Sequence, residues 1–171
     1  MKISTAKFVT VILALFSSAT FVCVTYRNFP FDRELTVILP IKNERQISRL
    51  GPEPRVRISG SEQAIVEGPV YFDIRVLPWF RAAKIEIVYK ENGQAFDGIA
   101  VQSAAGWNYD LIKPYSVEEL DDGWSKATID FDLSGGYQVR NVRRFLIGTQ
   151  QTNPDARGEL TLRELSVKLF W

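Results

Sequence analysis

The sequence predicts an all-β domain, an antiparallel β-sandwich of short strands, preceded by one N-terminal transmembrane helix. Three observations carry that prediction. Phe8 to Tyr26 is a run without charge or proline. From Arg55 onward, apolar residues recur at every second position. Turn signals rich in Gly, Asn, Asp and Pro separate those runs at short intervals. A chain of 171 residues suits one domain and an anchor, and the pattern divides it into a helix over 1–26, a stalk over 27–54 and a sandwich over 55–171.

Residues 8–26, at about 1.5 Å per residue, nearly span a hydrocarbon core of roughly 30 Å. Lys2 and Lys7 precede the run and Arg27 follows it. One reading is an uncleaved signal-anchor; the other is a signal peptide cut after Ser17-Ser18-Ala19. The apolar run continues through Phe21-Val22-Cys23-Val24, which a cleaved leader does not need, so the anchor is preferred. Basic residues flank both sides, Arg33 and Lys42 lying beyond Arg27, and barely decide the orientation. The order of basic start, apolar run and domain is that of an export signal. It places a single-pass membrane protein with its β domain outside the cytoplasm.

The expected stalk contains Pro30, Pro40, Pro52 and Pro54 and a charged stretch from Lys42 to Arg49. Within it Leu35-Thr36-Val37-Ile38-Leu39 is β-prone. It reads as a short linker strand, with pairing to the domain's edge or to a partner as the other options.

The sandwich strands follow in order. Val56 and Ile58 alternate with arginines and a serine. Val70, Phe72, Ile74 and Val76 form the next apolar face, then Ile85, Ile87 and Tyr89, then Ala127, Ile129, Phe131 and Leu133. Phe145 and Ile147 make a short run. Leu160 and Leu162, then Leu165, Val167 and Leu169, close the chain, and the phase slip at Arg163-Glu164 predicts a β-bulge. Turns are expected at Ser59-Gly60-Ser61, Glu67-Gly68-Pro69, Glu91-Asn92-Gly93, Asp121-Asp122-Gly123, Ser134-Gly135-Gly136 and Asn153-Pro154-Asp155. Ser116–Leu120 and Pro78–Ala83 are expected as brief helical turns.

Composition narrows the chemistry. There is no histidine, so His-based triads and the usual zinc sites are excluded. The single cysteine, Cys23, lies in the apolar run and leaves no internal disulfide. Lys2 and Lys7 are the basic residues in or before that run, and beyond it acids outnumber bases by one; such a domain has no electrostatic footprint for nucleic acid. Ser103 and Ser125 have no base to activate them. Asp130 and Asp132 would share a strand face about 6.6 Å apart, the spacing of an inverting glycosidase pair. Lys126, Thr128, Arg143 and Arg144 are expected beside them on a solvated face, with nothing to desolvate either carboxylate. The chain is therefore expected not to be an enzyme.

The last third runs from Gly123-Trp124 through Asp130-Phe131-Asp132-Leu133, a Gly-Gly turn, Arg144-Phe145-Leu146-Ile147-Gly148, and the final Leu160 to Leu169 strand. This succession resembles the closing half of galactose-binding-like jelly rolls, the fold of many carbohydrate-binding modules. Leu162-Arg163-Glu164-Leu165 departs from the family, whose last strand often carries an Asp after an aliphatic residue. The resemblance implies sugar binding on aromatic platforms, no cofactor, and a structural calcium in some members. Aromatic faces suit sugars because axial C–H groups stack on the ring while polar neighbours hold the hydroxyls. Trp107, Asn108, Tyr109 and Asp110 form the best cluster and Trp79 a second candidate; Tyr115, Trp124 and Tyr137 are further aromatics. The alternative for all of them is packing or rim duty. The function expected is a non-catalytic, envelope-facing recognition module that binds glycan. The alternative is an accessory subunit whose sandwich docks onto another envelope protein, and a carboxylate-dependent glycosidase comes third.

Overall fold

The computed structural model describes residues 5–28, 34–38, 46–152 and 157–171. Helix α1 (Thr5–Asn28) contains the apolar run. Its Lys7–Tyr26 window has a mean hydropathy of 2.2, with none of it buried in the protein, and is long and apolar enough to cross a membrane. Thr20 and Thr25 donate their hydroxyls to the carbonyls of Phe16 and Phe21 one turn back, so neither hydroxyl costs an unmet donor in an apolar medium.

The strands are β1 (Glu34–Ile38), β2 (Val56–Ser59), β3 (Glu62–Ile65), β4 (Val70–Arg75), β5 (Ala82–Asn92), β6 (Gln94–Ala104), β7 (Asn108–Ile112), β8 (Ser116–Glu119), β9 (Ser125–Asp132), β10 (Val142–Gln151) and β11 (Glu159–Phe170), and the period-two runs supply β2, β4, β5, β9, β10 and β11. They form two antiparallel sheets. One has the order β2-β3-β11-β5-β9-β8, with β1 also lying along β11; the other has the order β4-β10-β6-β7. Alternate residues of both sheets fill the space between them. Phe72 stacks on Phe145 at 5.4 Å within the smaller sheet, and Phe131 from the larger meets Phe145 edge-on, also at 5.4 Å. This aromatic trio ties the two layers at the centre of the core.

Several elements differ from the sequence reading, β3 and β7 being strands it did not set out. β6 carries no alternation because Gly98, Ile99, Ala100 and Val101 are all buried; the pattern of a strand covered on both faces is continuous rather than periodic. Ser116 to Glu119 is an edge strand paired with β9, not a helical turn. Pro78–Ala83 is not helical either: Trp79 lies in a tight turn and Ala82 already begins β5. The phase slip does mark a bulge, since the register of β11 against β5 shifts between Leu162 and Glu164. The expected turn at Asn153-Pro154-Asp155 lies outside the described residues.

Part of the expected stalk packs with the domain. Ser48 and Gly51 bond the backbone of β4 at Asp73 and Tyr71, while Ile47 and Leu50 are buried in the core. Strand β1 pairs with β11 from Glu34↔Lys168 to Ile38↔Glu164.

A polar cleft on the four-stranded sheet

The inner residues of the smaller sheet belong to the core, so its chemistry lies on the other face. There Asp73 and Arg144 sit directly opposite in the β4–β10 register. The Arg144 guanidinium donates through Nε and Nη2 to the two Asp73 carboxylate oxygens, at 2.7 and 2.8 Å. It also lies 4.4 Å from the centre of the Tyr71 ring, a cation–π contact. Its hydrogen bonds to Asp73 hold the guanidinium above its ordinary pKa. Ser48 fixes the Asp73 backbone by accepting from its N–H at 2.8 Å.

Next to this pair stands Tyr109, whose phenol is held above the ordinary range chiefly by burial, with the Arg144 charge opposing. Trp107 leads into β7 from a turn and leaves 76% of its surface exposed. Its ring packs 5.9 Å from that of Tyr109. Gly106, with φ of 84°, turns the chain just before Trp107, a conformation that few other residues adopt. The Asn108 amide donates to Ala105 O at 2.7 Å and the Gln102 amide to Gly106 O at 2.8 Å. Both pin the turn that presents Trp107. Asp73, Gln102, Tyr137, Val139, Val142 and Arg144 line a cleft of about 200 Å³, beside the Trp107–Tyr109 pair.

The expected cluster is thus brought together only in part. Trp107 and Tyr109 are neighbours. Asn108 is engaged in its own turn. Asp110 pairs with Val101 whereas Tyr109 pairs with Gln102, so Asp110 points to the opposite side of the sheet. Trp79 lies on the Val76–Arg81 connection, against Phe80, apart from the cleft. Trp124 is buried, with Arg163 at 5.7 Å from its ring; it is a packing residue, not a platform. Tyr71, Asp73, Gln102 and Arg144 escaped the sequence reading because β6 was unread and nothing local pairs Asp73 with Arg144, 71 positions apart.

The carboxylates weighed for hydrolysis lie on the other sheet. Asp130 is exposed and opposite Lys84. Asp132 accepts from the Ser134 N–H at 2.8 Å, and its bonds to Ser134 hold its pKa below the ordinary carboxylate value, the wrong direction for a general acid. Of the basic residues expected beside them, Arg143 lies close enough to help lower the Asp132 pKa. Lys126 pairs with Glu86 at 3.2 Å, Arg144 with Asp73, and Arg143 is buried, donating to Leu133 O at 2.6 Å. Among the described residues no group of three or more Asp, Glu or Cys is placed to hold a metal ion.

No family model matches the chain, and no curated protein matches it. Solved structures do. The xylan-binding module CBM15 superposes with a TM-score of 0.50 at 13% identity, over 80% of this chain and 97% of that one. The chain shares the two-sheet β-sandwich architecture of that module. Two further modules superpose more loosely. The C-terminal CBM6 of LamC, a marine laminarinase from Zobellia galactanivorans, has a TM-score of 0.43 at 9% identity, over 79% of this chain and 98% of that one. The mannan-recognising module TmCBM27 has 0.43 at 12%, over 80% and 98%. At such identities a carbohydrate-binding-module fold defines an architecture, and its ligand must be argued from the site.

Proposed function

We propose that this chain is a membrane-tethered, non-catalytic recognition module that binds glycan on the outer face of its four-stranded sheet. The observation that carries this reading is the exposed Trp107 ring, packed on Tyr109 and held beside the Asp73–Arg144 cleft. A sugar ring stacks on Trp107, and its hydroxyls meet Gln102, Asp73, Arg144 and Tyr137. The Asp73 carboxylate already neutralises the Arg144 guanidinium through two hydrogen bonds, so the cleft offers donors and acceptors without net charge. That suits a neutral glycan better than an acidic one. The carbohydrate-binding-module fold supports glycan as the kind of partner. Helix α1 supports the tether, and the order of basic start, apolar run and domain favours the extracytoplasmic side for the β domain.

The test is binding of the full chain, in lipid nanodiscs, to a panel of neutral and acidic polysaccharides. Saturable binding to neutral members supports the proposal. Absence of binding to every member, with a β-type circular dichroism spectrum, favours the accessory-subunit alternative.

A further inference from the structure

One end of the sandwich carries aromatic surface that glycan binding does not use. Here β4, β6, β9 and β11 finish and β5, β7 and β10 begin, so the Trp107 turn borders this end on the side of the smaller sheet. Trp79 is 49% exposed, Phe170 45% and Trp171 61%. Phe80 joins the two tryptophans: Trp171 stacks on it at 5.2 Å and Trp79 leans on it at 6.4 Å. Leaving such large rings in water is unfavourable, and clustered exposed apolar surface marks a contact. Arg81 and Arg140 are exposed on the connections at this end, and Arg81 is tied to Phe170 through its N–H to the Phe170 carbonyl. Asp132, the acid that ends β9, is engaged with Ser134.

Chain connectivity says what lies opposite. Helix α1 ends at Asn28 and β1 begins at Glu34. The intervening peptide steps reach at most roughly 20 Å. Glu34 pairs with Lys168, close to Phe170 and Trp171 on the same strand. The end of the anchor is therefore tethered to this end of the sandwich. In the structure Phe21 and Tyr26 of α1 line a cleft of about 870 Å³ together with Leu77 and Trp79.

We infer that this end is a membrane-contacting face. Trp79, Phe170 and Trp171 seat in the interface of the bilayer that α1 spans, and Arg81 and Arg140 reach the phosphates of its headgroups. Tryptophan favours that layer because its ring is apolar and its N–H wet, and an arginine near it donates charge-assisted hydrogen bonds to lipid phosphates. The inference rests on α1 being a membrane anchor. Docked in this way, the strands stand upright on the bilayer, and the cleft of Asp73 and Arg144 looks along the membrane rather than away from it.

The test uses the full chain in vesicles of equal parts phosphatidylcholine and phosphatidylglycerol, carrying Trp107→Phe. Helix α1 has no tryptophan, so emission then comes from Trp79, Trp171 and the buried Trp124. Lipids brominated high on the acyl chain should quench it, most of that quenching should vanish in Trp79→Phe/Trp171→Phe, and aqueous iodide should have little effect. Quenching by iodide but not by brominated lipid, with the chain retained through an alkaline carbonate wash, overturns the inference while leaving the anchor intact. Shielding from both quenchers also overturns it, and assigns the face to protein such as a second copy. A chain stripped from the vesicles by the wash removes the anchor and the inference together.

Discussion

Arg144 and Asp73 meet across β10 and β4 through two charge-assisted hydrogen bonds, and the guanidinium they hold lies over Tyr71 and beside Tyr109. One ion pair thereby fixes three side chains on a surface that is otherwise open. Half-exposed pairs of this kind contribute modestly to stability, so its larger effect is positional.

Asp73→Asn keeps the shape and removes the charge. It should lower stability by about 1–2 kcal/mol, read as a shift of the urea midpoint, and weaken glycan binding about tenfold as Arg144 and Tyr109 lose their anchor. Unchanged affinity in a folded variant would mean that the pair does not order the cleft.

Trp107 and Trp124 should separate binding from packing. Trp107→Ala removes an exposed ring, and stability should stay within about 0.5 kcal/mol of the parent. Trp124→Ala empties a buried position and should cost about 3 kcal/mol. Thermal unfolding of the two variants checks the contrast; equal losses would assign Trp107 to the fold instead of to a ligand.

The domain should need residues that precede Arg55. Ile47 and Leu50 are buried, and each such side chain contributes about 1.5–3 kcal/mol. A fragment of residues 46–171 should therefore be more stable than one of 55–171 by about 3–6 kcal/mol. Urea titration of both fragments measures the difference, and coincident midpoints would show that 46–54 is dispensable.

Acid should weaken the domain partly through Asp132. Its carboxyl is held below the ordinary value of 3.8 by the Ser134 bonds. The unfolded chain therefore takes up that proton first as pH falls. The stabilisation is present at neutral pH and lost on acidification below about 3.8. Asp132→Ala should lower the urea midpoint at neutral pH, and the gap to the parent should narrow as the pH falls below the ordinary carboxylate value; a gap independent of pH would contradict this.

Much of the architecture is legible in residue patterns. The apolar faces of Val70 to Ile74 and Ala127 to Leu133 alternate because each strand buries one side only, and the slip at Arg163 marks a real bulge. The site is less legible. Trp107 and Tyr109 are local neighbours and could be paired from spacing alone. Asp73 and Arg144 are joined only by the sheet, and β6, which lies between β10 and β7, hides its alternation because both of its faces are covered at Gly98 to Val101. Asp110 seemed part of the cluster by proximity in sequence, yet strand alternation turns it to the other face. Prolines and the charged stretch from Lys42 to Arg49 likewise suggest a stalk over 27–54, whereas burial joins Ile47 and Leu50 to the core.

The most direct measurement of the central claim is isothermal titration of the nanodisc-held chain with a polysaccharide selected from the panel, alongside Trp107→Ala. The account predicts saturable binding to a neutral glycan that Trp107→Ala abolishes while thermal unfolding stays unchanged. Binding that survives in Trp107→Ala would contradict it and move the ligand away from the Asp73–Arg144 cleft.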